Sequence, residues 1–278
     1  MNKSNDRADD ITDGATPALS PGDAPPRSLG LEGSPNFRDA GGYARRGGSP
    51  LAWRRLFRSG HLALLSPADR HRLAGLELEL VCDLRREDEQ RLEPSQLPGN
   101  VKVISANITP GSQASAIYDD SRQIAGAAAM FQFMCDINRE FVDSQTDAYR
   151  EVFAQLLDSG AQRVLLHCSA GKDRTGFAIA MLQLALGVTL ADVEADYLLS
   201  RRYYLPEREM SRVRKKYPVD HLQDEQLVPM MRTELDYLRS AMAAIEIRFG
   251  DIERYLAEGL GLGALERREL QRRFAPGP

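Results

Sequence analysis

One stretch limits the possible folds more than any other: QRVLLHCSAGKDRTGFAIAMLQLALG, residues 162–187, is an apolar run, a polar loop and a second apolar run. RVLLHC is short and continuously apolar, the pattern of a strand buried on both faces. GFAIAMLQLALG is longer and ends on Gly187, the pattern of a buried helix with a glycine stop. ELELVCDL and NVKVISANI read as two further strands, and LAWRRLFRS carries a short one. Between them SPADRHRLAGL has Ser66 as N-cap, Pro67 at the first helical position, Asp69 in the first turn and Gly75 as a stop. Strands alternating with helices predict an α/β fold, a mostly parallel central sheet flanked by helices.

The flanking sequence sets the organisation. Residues 1–29 are rich in Asp, Pro, Gly, Ser and Ala with few large apolar anchors, and are expected to be a disordered tail. Residues 30–278 are expected to form a single domain. An insert at about 109–160 separates the second and third strands. Within it Met130, Met134, Ile137 and Phe141 recur at helical spacing, as do Tyr149, Phe153 and Leu156, so two or more helices are predicted. These are either core helices or a helical lid. The start TPGSQASAIYDDS and the Met and Phe content favour the lid, whereas the periodicity alone favours core. VTLADVEADYLLS reads as a helix capped by Thr189, and DEQLVPMMRTELDYLRSAMAAIEIRF and ALERRELQRRF as amphipathic segments.

A net charge of -4 and a pI near 5.7 supply no concentrated basic face, so nucleic acid is not expected as a partner. Cys82, Cys135 and Cys168 are odd in number and far apart, which suits neither a disulfide framework nor a metal cluster. His61, His71 and His221 also lack ligand spacing, and no metal or cofactor is expected. The first residues hold no apolar core of a signal peptide, and FAIAMLQLALGV falls short of the roughly 20 apolar residues of a membrane span. A cytoplasmic protein without stable membrane insertion is expected, or one exported without a Sec-type signal. Nothing in the sequence sets the oligomeric state.

The loop itself suggests a chemistry. Backbone N–H groups of Ser169, Ala170, Gly171, Lys172, Asp173 and Arg174 can turn inward around a tetrahedral dianion, and the helix that follows adds its positive N-terminal end. Gly171 permits close backbone approach, and Arg174 offers a planar fork for two phosphate oxygens. The same field favours the thiolate of Cys168, placed for in-line attack on phosphorus. Thr175 can donate a hydrogen bond to the departing sulfur, and His167 is expected to tune the loop through hydrogen bonds rather than act as a base.

HCSAGKDRTG resembles the signature loop of the protein tyrosine phosphatase superfamily, and GKDRTG in particular resembles the bacterial tyrosine phosphatases that also hydrolyse phosphoinositides. NFRDAGGY, LFRSGHLALLSPAD, VCDLRREDE and ADYLLS are similar to that group in the same order, so the resemblance spans about residues 31–275. Ala40 and Cys82 depart from it, each standing where a larger aliphatic residue is expected. The resemblance implies the cysteine-phosphatase fold, Cys168 as nucleophile, Arg174 as phosphate clamp and Lys172 as an extra cation favouring polyanionic headgroups. A general acid is still required. Asp173 inside the loop and Asp83 at the end of a strand are both candidates, Asp83 being equally a structural partner of Arg85. Asn36, Arg38 and Asp39 of NFRD read by pattern as exposed loop residues, placed near the site by the resemblance in a structural role. Cys135 reads as packing, and Cys82 as a residue that could pair with Cys168 on oxidation.

The implied activity is hydrolysis of phosphotyrosine on proteins through a phosphocysteine, with phosphoinositides and phosphoserine or phosphothreonine as further substrates. The alternatives are a primarily phosphoinositide phosphatase and a non-catalytic module that binds phosphorylated ligands.

Overall fold

The computed structural model describes residues 26–99, 101–109, 126–217 and 219–276. Its centre is a five-stranded sheet of β1 (Arg38–Asp39), β2 (Leu56–Ser59), β3 (Leu80–Asp83), β4 (Lys102–Ser105) and β5 (Val164–His167), in the order β1-β2-β5-β3-β4. β2, β5, β3 and β4 run parallel, and β1 joins antiparallel at one edge. The predicted α/β architecture is therefore the observed one. In register, Ser59 and Asp83 flank His167 from the two neighbouring strands, and Ser105 lies beyond Asp83. Four carboxyl ends thus meet at one edge, where ligands bind in open parallel sheets.

Strand alternation sorts the side chains into two apolar layers. Leu56, Leu80, Cys82, Val164 and Leu166 point into the larger, and Phe57, Val81 and Leu165 into the smaller. The smaller layer is closed by α1 (Pro67–Ala74), whose predicted signals all appear: Ser66 Oγ accepts from Asp69 N, Asp69 Oδ2 accepts in return from Ser66 N, and Gly75 ends the helix. The larger layer holds α5 (Asp173–Ala185), buried from Thr175 to Gln183, and the two helices of the insert, α3 (Ala127–Asp143) and α4 (Thr146–Ser159).

The apolar positions that recur in the insert are core. Met130, Met134, Ile137, Phe141, Tyr149, Phe153 and Leu156 are all buried. Phe141, Tyr149 and Phe177 of α5 form a ring cluster with centroids 4.9–5.9 Å apart, and Tyr149 Oη donates to Arg174 O at 3.2 Å. Most of the segment that suggested a lid, TPGSQASAIYDDS, lies outside the described residues, as does the tail from 1 to 25.

Two expectations need correcting, and one segment gains detail. Arg27 and Ser28, assigned to the tail, are packed: Arg27 donates to Asp39 O and Gly41 O, both at 2.8 Å, and lies over the rings of Tyr43 and Trp53, while Ser28 bridges Arg38. Asn36, Arg38 and Asp39 are buried rather than exposed, because ion pairs and backbone groups satisfy them inside. The long segment 224–249 is two helices, α9 (Asp224–Met231) and α10 (Leu235–Phe249). Pro229, which has no N–H to donate, sits in the last turns of the first, and its chain leaves helical geometry at Arg232. The predicted helix after Thr189 is present as α6 (Leu190–Leu198), with the Thr189 hydroxyl accepting from Asp192 N. Among the described residues, no helix is long and apolar enough to cross a membrane.

Candidate active site

The loop Cys168–Lys172 leaves β5 at the carboxyl edge of the sheet and enters α5 at Asp173. Its shape is set by what holds its carbonyls. His61 N donates to Ser169 O at 3.0 Å. Asn36 Nδ2 donates to Ala170 O at 3.3 Å and to Gly171 O at 2.7 Å, and Arg58 Nη2 donates to Gly171 O at 2.8 Å and to Lys172 O at 3.4 Å. With the carbonyls drawn outward, N–H groups are left for the concave side, where Gly171 N donates to Cys168 Sγ at 3.3 Å. Gly171 has φ 68°, and a Cβ there would come within 2.6 Å of the Ser59–Gly60 backbone, so only glycine fits.

The donors behind the loop are themselves anchored. Asp196 of α6 pairs with Arg58 at 2.8 Å and with Arg38 Nε at 3.6 Å, and accepts from Tyr43 Oη at 3.1 Å. Arg38 also donates to Asp196 O and to Asn36 Oδ1. Burial pushes the Asp196 carboxyl up, but the two arginines outweigh it and hold the group below the usual carboxylate range. Asn36 adopts φ 62°, left-handed backbone that asparagine tolerates, and so aims its amide at the loop.

Arg174 is parked by Glu89 of α2 (Glu87–Leu92), with contacts at 2.5 and 3.1 Å. Lys216 holds the same carboxylate at 2.7 Å. Desolvation would lower the Arg174 guanidinium, yet Glu89 and Cys168 more than offset it and keep it firmly charged; burial likewise raises Glu89, but Arg174 and Lys216 bring it far below its ordinary value. Glu89 owes its position to its place at the start of α2, where its second oxygen accepts from Arg86 N at 3.0 Å.

The other predicted residues divide. Asp173 lines the cavity above Cys168, and its Oδ1, buried, makes no hydrogen bond among the described residues. Thr175 Oγ1 is likewise buried and unbonded. The Asp83 carboxylate is instead gripped by Arg85 through bonds at 2.7–3.2 Å. Burial raises it, but neighbouring His167 and the Arg85 fork prevail, leaving it below the usual range. His167 Nε2 lies 3.5 Å from Asp83 Oδ2, and burial pushes the imidazole down to about 4. Lys172 lines the cavity, but its ammonium is engaged by backbone: its Nζ donates to Met230 O and Arg232 O, each at 2.8 Å, and stands over the Tyr204 ring.

The cover over the cradle comes from a segment to which the sequence analysis assigned no role. α8 (Pro206–Lys216) carries Arg212 and Lys216, one turn apart, and both reach Ser169 Oγ, at 3.0 and 2.6 Å. Tyr204, Val213, Met230 and Met231 complete the wall over a cavity of about 70 Å³, and Cys168 is only 2% exposed. Cys82 is buried in β3, and burial pushes its thiol up to about 12. Among the described residues no three His, Cys, Asp or Glu side chains gather as a metal site.

A sequence model of the tyrosine phosphatase family matches residues 29–275. The chain belongs to that tyrosine phosphatase family. It is 33% identical over 229 residues to a chain of Cupriavidus necator named as a tyrosine-protein phosphatase, covering 81% of each. It is 28% identical over 270 residues to the triple specificity protein phosphatase PtpB of Mycobacterium tuberculosis, covering 82% of this chain and 92% of that one. The core catalytic domain of the PP-IP phosphatase SIW14 from S. cerevisiae superposes with a TM-score of 0.33 at 15% identity, over 62% of this chain and 84% of that one. This tyrosine phosphatase thus places its signature loop at the carboxyl edge of the sheet, tied down from behind and covered in front.

Proposed function

We propose that the protein hydrolyses phosphotyrosine on proteins through a phosphocysteine formed on Cys168. The observation that carries this is the sulfur itself, on the concave side of a loop whose carbonyls are tied outward, with Gly171 N–H on it and Arg174 alongside. In the first step the Cys168 thiolate attacks phosphorus, the S–P bond forms and the P–O bond to the phenol breaks. The inward N–H groups and Arg174 take up the charge of the equatorial oxygens. Asp173 gives its proton to the departing oxygen. We assign the acid to Asp173 rather than Asp83 because Asp173 faces the cavity with an unengaged oxygen, whereas Asp83 is held ionised by Arg85. In the second step Asp173 takes a proton from water, water attacks phosphorus, and Thr175 donates a hydrogen bond to the leaving sulfur.

The likeness to a relative named for triple specificity supports substrates beyond phosphotyrosine, and phosphoserine, phosphothreonine and phosphoinositides are the classes to test. The test is phosphate release from phosphotyrosine peptides and a phosphoinositide panel with EDTA present, comparing the native chain with Cys168→Ser. Release from the peptides that vanishes in the variant is expected. Binding without release would leave a phospho-ligand binding module instead.

A further inference from the structure

A second cavity, about 410 Å³, lies beside the cradle. It is lined by the 31–35 loop, His61, Leu64, the start of α1, and Tyr203, Leu205, Arg208 and Glu209 of the segment that leads into the cover. Its position is fixed by two links. His61 N donates to Ser169 O of the loop, and Glu209 lies one turn before Arg212, which reaches Ser169 Oγ. An extended peptide advances about 3.3 Å per residue, so a substrate with its phosphorylated side chain in the cradle carries neighbouring residues over the adjoining surface.

The walls contain buried polar atoms that make no hydrogen bond among the described residues. His61 is 1% exposed, and neither ring nitrogen makes a hydrogen bond among the described residues; Nε2 stands 3.7 Å from Glu209 Oε2. Ser34, also buried, has a hydroxyl that makes no hydrogen bond among the described residues. Groups of this kind cost free energy unless water or a ligand meets them. Asp69 and Ser66 are already used in capping α1 and holding Glu32 N and Gly33 N. The other polar groups are the His61 ring nitrogens, the Ser34 oxygen, and the carboxylates of Glu32 and of Glu209, whose Oε2 also accepts from Arg212 Nη1 at 3.2 Å, with Arg208 the cation lining the cavity. Leu31, Leu64 and Leu205 add an aliphatic surface, and Leu64, 65% exposed, opens it to the outside. An aliphatic stem ending in several donors is what such a site accepts.

We propose that this cavity is a specificity subsite for an arginine or lysine two to three residues from the phosphorylated residue of a peptide substrate. The proposal rests on the phosphatase function above. The head donates to Glu209, Ser34 Oγ and His61, Glu32 adds charge complementarity, and the stem lies on Leu64 and Leu205. Because Glu209 and Arg212 share α8, filling the subsite and admitting the phosphate act on one helix.

Two measurements separate the subsite from the phosphatase function. Binding of phosphotyrosine peptides bearing Arg, Leu or Glu two and three residues from the phosphotyrosine is measured on Cys168→Ser protein, which needs no turnover. Arg peptides are expected to bind about tenfold tighter than Glu peptides. Adding Glu32→Lys should abolish that preference, and adding His61→Phe should reduce it. In the Cys168 background, turnover of p-nitrophenyl phosphate, too small to reach the cavity, should be unchanged by Glu32→Lys. Equal binding of the three peptides, or a preference that survives both substitutions, overturns the subsite. Absence of p-nitrophenyl phosphate turnover alongside an intact Arg preference would overturn only the phosphatase function.

Discussion

Behind the signature loop, Arg38, Arg58 and Asp196 form an ion network whose side chains are at most 1% exposed; in front of it, Arg212, Glu93 and Glu209 form one whose side chains are 12–17% exposed. Both pair arginine with carboxylate. Behind the loop both arginines also donate to backbone, three of these bonds going to loop carbonyls or to Asn36, which holds them, so the network is inseparable from the shape of the cradle. In front, Arg212 reaches the loop through the Ser169 hydroxyl, and these partly exposed pairs can exchange partners with water. Depth therefore decides the role: an ion pair closed off from water fixes a geometry, whereas one near the surface covers it and can be displaced.

The largest expected effect comes from breaking the rear. Asp196→Ala leaves two buried arginines unpaired and should cost about 3–5 kcal/mol of stability, read as a fall in the urea midpoint, with loss of activity in whatever remains folded. A pH experiment comes next. His167, held at about 4 against an ordinary 6.5, stays unprotonated in the fold while the unfolded chain takes up a proton, so its contribution is complete above pH 6.5 and declines as pH falls towards 4. Asp39, raised by burial to about 6, works in the opposite direction, its contribution full below 3.8 and lost as pH rises through 6. Comparing the native chain with His167→Gln isolates the first effect, and roughly 3 kcal/mol of acid sensitivity should disappear from the difference between midpoints at pH 7.5 and 4.5.

Glu89 stands between the two regions, since it is buried yet grips Arg174 from the front. Glu89→Gln should lower kcat/KM by about a hundredfold, because Arg174 is no longer held for the equatorial oxygens. Arg212→Ala, at the front, should change stability by less than about 1 kcal/mol and act mainly on KM. A midpoint loss for Arg212→Ala as large as that for Asp196→Ala would erase the distinction between rear and front.

Much of this was legible in the chain. The strand, loop and buried helix around Cys168 carry their periodicities locally, and the caps Ser66 and Thr189 bond as their spacing implies. Arg58 and Asp196 were harder to see because their partners lie 138 residues apart; the available signal was a charge inside the otherwise buried strand LFRS. Glu89 had a local sign, an acid three residues after Arg86 at a helix start, that points to a cap but not to Arg174. NFRD looks like a polar turn, and only the fold shows that its side chains face inward. The cover was missed for a different reason: PEREMSRVRKK is strongly polar, and the cations that close the site have the same spacing as a solvated helix face.

The central claim is that Cys168 carries the phosphoryl group between the two steps. Its most direct test is to mix the protein with a phosphotyrosine peptide, quench with acid within a turnover and examine the Cys168 peptide by mass spectrometry, in the native chain and in Asp173→Asn. A phosphoryl group on Cys168, at levels changed by the Asp173 substitution, is the expected result. Phosphate release with Cys168 unmodified at every time point, or undiminished release by Cys168→Ser, would contradict it.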